Sequence, residues 1–168
     1  YMVYAPIIIP TLNRYEHLKR CVKSLQQNGW AKYTELYISV DYPAKESHWE
    51  GYRKVREYLE DGIEGFQKVN LFYQQANLGG RNNIQFLIQT VFELYDICIA
   101  TEDDNEFSPC FIEFMDKGLE LFKDDPDIMY LCGYVPEKKW HTERENILKL
   151  SSVQYYYGVG FWKDKRRQ

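Results

Sequence analysis

Short apolar runs alternate with amphipathic stretches along most of this chain, and that alternation restricts the fold more than any other feature. Residues 5–9, 36–40, 69–73, 97–101 and 128–132 are apolar runs of strand length. Each is short and bounded by polar or turn residues, the pattern of buried strands. Between them, apolar residues recur at helical spacing. Tyr15, Leu18, Cys21, Val22 and Leu25 form one stripe, and Tyr52, Val55 and Leu59 a second. Ile84, Leu87, Ile88 and Val91 form a third. The start signals predict Asn13 with Glu16, and Ser47 with Glu50, as capping boxes. Gly29 and Gly62 are the matching stops. A loop is predicted over 77–83 and the third helix over 84–94. Ser108 before Pro109 predicts the start of a fourth helix, which runs to about residue 122 and ends before Pro126. Strands alternating with helices predict an α/β domain with a mostly parallel central sheet. Past residue 135 the pattern lapses. Residues 136–149 are polar, and residues 153–160 carry aromatics and glycine, the signature of a late strand and turn.

At 168 residues the chain is expected to form a single domain over 1–168. Aromatic residues make up 17%, which excludes general disorder. A net charge of −4 gives no basic footprint, so nucleic acid is not an expected partner. No apolar run approaches the ~18 residues of a membrane helix, and no secretory leader is visible. Cys21, Cys98, Cys110 and Cys132 form no CxxC pair and read as reduced core thiols. The expected location is therefore cytoplasmic.

In open α/β sheets, ligands bind beyond the carboxyl ends of the strands. Here those ends carry unusual polar clusters. The first strand leads into Pro10, Thr11, Leu12, Asn13 and Arg14, and the second ends in Asp41. The third leads to Asn77, Leu78, Gly79, Gly80, Arg81, Asn82 and Asn83, and the fourth into Glu102, Asp103, Asp104 and Asn105. The three successive carboxylates repel one another, and a divalent cation would relieve that repulsion. Mg2+ and Mn2+ favour carboxylate oxygens and often take only one or two of them, plus phosphates. The alternative is a solvated acidic loop lying near a helix N-terminus. The loop after the first strand lacks GxGxxG, which argues against a dinucleotide-binding dehydrogenase.

These clusters, in this order, resemble the GT-A glycosyltransferases, with the family-2 enzymes of bacterial polysaccharide synthesis the most similar group. Glu102, Asp103 and Asp104, followed by Ser108, Pro109 and Phe111, also resemble the Glu-Asp-Asp metal motif of Golgi N-acetylglucosaminyltransferases. The resemblance spans about residues 4–135, with a weaker echo at Tyr157, Gly158, Val159, Gly160, Phe161 and Trp162. It implies a GT-A three-layer sandwich that transfers a hexosyl or N-acetylhexosaminyl unit from a nucleoside-diphosphate sugar to a glycan or lipid-linked hydroxyl, with inversion. Mn2+ or Mg2+ is the implied cofactor. Pro10, Thr11, Asn13 and Arg14 would line the donor site. Asp41 would accept a hydrogen bond from the base. Gly79 and Gly80 would let the backbone approach the nucleotide, with Arg81 adding charge. Asp103 would reach the ribose or the metal shell, and Asp104 would ligate the metal, with Glu102 and His141 as weaker candidates.

Several of these residues have a second reading. Asn13 is equally a helix cap, Arg14 a solvated first-turn residue, and Asp41 and the glycine pair turn residues. Asp164 and Glu143 are the candidates for a base, though both also suit a solvated surface. Tyr155, Tyr156, Tyr157, Phe161 and Trp162 suit either a sugar-stacking wall or a core. Lys163, Lys165, Arg166 and Arg167 suit the diphosphate, an anionic lipid-linked acceptor at the inner membrane face, or a solvated tail. The donor half occupies about 1–135. Residues 136–168 are short for an acceptor half, so a truncated C-terminus is expected. Two other functions fit less well. One is a donor-binding subunit without turnover. The other is a sugar-nucleotidyltransferase, which would carry a Gly-rich basic loop after its first strand.

Overall fold

The structure is a computed structural model that describes residues 3–134 and 157–165. It comprises β1 (Ile7–Thr11), α1 (Tyr15–Gln26), β2 (Glu35–Val40), α2 (Trp49–Glu60), β3 (Lys68–Tyr73), α3 (Gly80–Phe92), β4 (Ile97–Ala100), α4 (Phe111–Leu121), β5 (Tyr130–Cys132) and β6 (Val159–Trp162). The strands form one sheet in the order β3-β2-β1-β4-β6-β5. β3, β2, β1 and β4 run parallel. β6 is antiparallel to both β4 and β5.

The period-2 alternation of the strands divides the core between the two faces of the sheet. On β1, Ile7 and Ile9 face one side, where Leu18, Val22 and Leu25 of α1, Val55 and Leu59 of α2, and Ile112 and Met115 of α4 cover them. Ile8 faces the other side and packs under Leu87, Ile88 and Val91 of α3. The mostly parallel sheet expected from the alternation, and the three layers that the resemblance implies, are present. β1 is buried on both faces, which is why its sequence is continuously apolar rather than alternating. Among the described residues no helix is long and apolar enough to cross a membrane.

The helix starts depart from the predicted caps. α1 begins at Tyr15 with Arg14 in the N-cap position, and neither it nor α2 has a side-chain cap. Asn13 is instead held by packing. Its carbonyl lies so close to Gly51 of α2 that a Cβ there would come within 2.1 Å of the oxygen. Ser47 lies in a short 3-10 turn, Glu46–His48, that leads into α2. α4 begins at Phe111, and its first turn is capped from a distance. Asn28 Oδ1 accepts from Ile112 N at 2.9 Å, while Asn28 Nδ2 donates to the carbonyls of Ser24 and Ser108. A tertiary cap thus replaces the local one expected at Ser108. α3 starts earlier than expected. Gly80, Arg81, Asn82 and Asn83 are its first turn rather than loop. Gly79, with φ of 75°, makes the left-handed step before it, a conformation that suits glycine. No disulfide joins the four cysteines; Cys21 and Cys98 are buried as expected, whereas Cys132 is only partly buried and Cys110 is exposed.

Candidate functional site

A cleft of about 840 Å3 opens at the carboxyl ends of β1, β2 and β4. Its lining includes Pro10, Thr11, Asn13, Arg14, Asp41, Gly79, Gly80, Arg81, Glu102 and Asp103. The convergence expected from the strand ends is therefore realised in space.

The densest polar contacts lie where β1 and β4 end side by side. Asp103 is almost fully buried. Its Oδ2 accepts from Thr11 Oγ1 at 2.6 Å, and its Oδ1 accepts from Arg14 Nη2. The other arm of the same guanidinium, Nη1, donates to Asp104 Oδ2 at 2.9 Å. One half-exposed arginine thus spans two successive carboxylates, the fork geometry that a guanidinium provides. The turn beneath is fixed by Asn105 Nδ2 donating to Thr101 Oγ1 and by the Cys21 thiol donating to the Glu102 carbonyl.

The electrostatics of this corner are not balanced. Burial pushes the Asp103 carboxyl above its ordinary value, and the hydrogen bonds and charge from Thr11 and Arg14 only partly offset it. Burial also raises Glu102, and the Asp104 charge adds to the effect. Burial would lower Arg14, but the two aspartates outweigh it and hold the guanidinium above its usual range. The acidic cluster therefore has room for more positive charge than Arg14 supplies. Among the described residues no three His, Cys, Asp or Glu side chains are grouped as a metal cage. Two carboxylates at an open cleft instead suit a hard cation that completes its shell from phosphate and water, as Mg2+ and Mn2+ do.

Asp41 is also buried at the cleft, and its carboxylate is fully engaged. Oδ1 accepts from Tyr42 N and Leu78 N, both at 2.8 Å. Oδ2 accepts from Gly79 N at 2.9 Å and Asn77 Nδ2 at 3.3 Å. Asp41 thereby ties the glycine loop to the end of β2. Asn83, in the first turn of α3, is anchored the same way. Its Nδ2 donates to the Ser39 carbonyl, and its Oδ1 accepts from Ser39 Oγ at 2.5 Å. Gly79, Gly80 and Arg81 are thus held at the amino end of a helix, where backbone N–H groups favour anions. Sequence reasoning did not single out His48 or Gln85, which also line the cleft, and Asn83, the last residue of the polar cluster read after the third strand, lines it too.

Other candidates lie elsewhere. Lys163 N donates to the Asp96 carbonyl, so the turn containing Asp164 sits at the amino end of β4, across the sheet from the cleft. Asp164 Oδ1 accepts from Lys165 N there. Lys165 is buried, and its ammonium donates to the carbonyls of Phe122, Asp125 and Ile128. Trp162 is core, with Nε1 donating to the Leu119 carbonyl. Phe161 is buried at the margin of the cleft, and Tyr157 is exposed against Tyr134. Glu143, His141, Tyr155, Tyr156, Arg166 and Arg167 lie outside the described residues.

A mostly parallel sheet between helical layers, with a polar cleft at its carboxyl edge, defines the GT-A-like α/β class. The solved structures that match bear this out at the level of the fold. The mannosyltransferase PcManGT from Pyrobaculum calidifontis, in complex with GDP-Man and Mn2+, superposes with a TM-score of 0.66 at 13% identity, over 98% of this chain and 46% of its own. TarS from S. aureus superposes with a TM-score of 0.54 at 12% identity, over 72% of this chain and 20% of its own. Its 1–349 segment gives 0.51 at 11%, over 72% and 33%. This chain therefore spans less than half the length of these structures. No family model and no curated protein matches the sequence.

Proposed function

We propose that this chain carries the donor site of a metal-dependent glycosyltransferase, which transfers a sugar from a nucleoside-diphosphate sugar to a glycan or lipid-linked hydroxyl with inversion. The observation that carries this reading is the corner formed by Thr11, Arg14, Asp103 and Asp104 at the head of a cleft otherwise bounded by a glycine loop and a helix amino terminus. Such a cleft has the size of a small-molecule site and pairs anion-binding backbone with cation-binding carboxylates. The shared fold with a mannosyltransferase solved with GDP-Man and Mn2+ supports it.

In this reading Asp104 and Asp103 would hold a Mn2+ or Mg2+ ion, with Glu102 a weaker candidate. When bound, that ion neutralises the charge that develops on the departing nucleoside diphosphate. Thr11 fixes Asp103 by occupying its second oxygen. Gly79, Gly80 and Arg81 receive the donor from the far wall. Asp41 acts through the loop it holds, since its own oxygens are committed to protein donors. Pro10 and Asn13 shape the near wall. The base for the acceptor hydroxyl is not assigned to Asp164, which lies across the sheet.

The test is a titration of UDP-, GDP- and dTDP-sugars with and without Mn2+, repeated with Asp104→Ala. Binding that needs Mn2+ and weakens at least about tenfold in the variant is expected. Binding indifferent to both would overturn the reading. A second reading is a donor-binding part without turnover. Metal-dependent binding with no transfer to any acceptor would select it. Pyrophosphate release from a nucleoside triphosphate and a sugar phosphate would instead select a nucleotidyltransferase.

A further inference from the structure

We propose that Arg14 is an internal counter-ion that keeps the Asp103–Asp104 pair closed to a divalent cation until a diphosphate draws it away. The proposal rests on the metal-dependent donor site above and deepens it, by making metal binding conditional on nucleotide.

Three observations lead there. First, the guanidinium occupies one oxygen of each carboxylate proposed to hold the metal. It binds Asp103 Oδ1 with one arm and Asp104 Oδ2 with the other. Two cations on one carboxylate pair repel, so arginine and metal compete. Second, the contact is built to be exchanged at one end only. Asp103 is buried and stays fixed through Thr11 on its other oxygen. Arg14 is half exposed and Asp104 about one-third exposed, so the arginine can swing into the cleft without unpacking the core. Third, Arg14 cannot leave by losing its proton, because a guanidinium stays charged at any working pH. An anion that offers it an equal partner lowers the cost of its leaving. A diphosphate in the cleft, seated at the amino end of α3 where Gly79 and Gly80 line the same space, is such an anion and accepts an arginine fork well. Nucleotide then both frees the carboxylates and adds phosphate ligands for the metal. By reciprocity, metal binding favours nucleotide by the same factor.

The experiment is a Mn2+ titration followed by electron paramagnetic resonance, on the wild type, Arg14→Gln and Arg14→Lys. Each is titrated with Mn2+ alone and then with UDP or GDP added. Without nucleotide, Arg14→Gln is expected to bind Mn2+ about tenfold more tightly than the wild type. Arg14→Lys is expected in between, since a point-charge ammonium cannot span both carboxylates. Nucleotide is expected to strengthen Mn2+ binding more in the wild type than in Arg14→Gln. If Arg14→Gln binds Mn2+ no better than the wild type while both bind it with nucleotide, the counter-ion role falls and the donor site stands. If no protein binds Mn2+ even with UDP or GDP, both fall together.

Discussion

The two edges of the sheet bury ionic groups in different company. At the amino edge, Lys165 donates to three backbone carbonyls, and Asp116 of α4 accepts from the backbone N–H of Ala5. At the carboxyl edge, Asp103 is held by two side chains, one of them the half-exposed Arg14. Backbone partners cannot move without unfolding a segment, whereas a side chain at the mouth of a cleft can change partner at small cost. Buried charge at the amino edge thus fastens α4 to the sheet, while buried charge at the carboxyl edge is available for ligand exchange.

Lys165→Met tests the first half of that contrast with the largest expected effect. Three carbonyls just beyond α4 lose a charged donor, each such hydrogen bond contributing roughly 1.5 kcal/mol or more, while Phe122 O and Asp125 O keep the backbone donors Asp125 N and Ile128 N. A loss of about 4 kcal/mol in urea unfolding is expected, with nucleotide affinity unchanged in the folded protein. A loss under about 1 kcal/mol would mean that the lysine is dispensable to the fold.

Asp116 gives the next effect, and a pH dependence. Burial pushes its carboxyl up to about 7, from an ordinary value of 3.8, and its Oδ2 has no partner. The folded state therefore holds a proton that the unfolded chain releases between those two values. Stability attributable to this group is full below about pH 4 and is lost as pH rises to about 7. Asp116→Asn keeps an acceptor for Ala5 N and carries no charge. It is expected to match the wild type near pH 4 and to exceed it by on the order of 3 kcal/mol above pH 7. Parallel stability–pH curves for the two proteins would break the contrast at this edge.

Gly51→Ala tests the carboxyl edge, where α2 meets the loop after β1. Helix propensity alone predicts a gain of ~1 kcal/mol. The Cβ would stand 2.1 Å from the Asn13 carbonyl oxygen, a backbone atom that cannot step aside without moving the loop. A net loss of about 2 kcal/mol is expected, together with weaker nucleotide binding, since Asn13 and Arg14 share that loop. A thermal melt showing a gain would place the loop under less constraint than the packing implies.

The sequence was most informative where one local pattern decides the outcome. Ile7, Ile8 and Ile9 must be strand because both faces of the sheet are covered, and Leu18 with Val22 and Leu25 must be helix because they share one stripe. The polar ends of those strands then located the cleft. What escaped is non-local. Nothing in residues 157–162 announces that β6 enters antiparallel between β4 and β5, since that depends on a partner far along the chain. The cap of α4 comes from Asn28, eighty-four residues before Ile112. The resemblance implied a base contact for Asp41, and only the fold reveals the loop donors that its oxygens hold. Lys165 read as a solvated tail residue or an acceptor contact, since its three acceptors meet only after α4 has packed.

Asp103→Asn carries the smallest expected change in stability and the sharpest contrast in function. The substitution removes the charge that Arg14 and Thr11 hold, which costs stability. It also removes the penalty of burying a carboxylate, which already outweighs those partners and holds the carboxyl above its ordinary value. The two nearly cancel, so unfolding in urea is expected to shift by no more than about 1 kcal/mol. A metal site losing one of two carboxylates has no such compensation, and Mn2+-dependent nucleotide binding is expected to fall at least about tenfold. If instead Asp103→Asn destabilises the protein as much as Lys165→Met and leaves nucleotide binding intact, the carboxyl edge is a second structural fastening, and the division between the two edges does not hold.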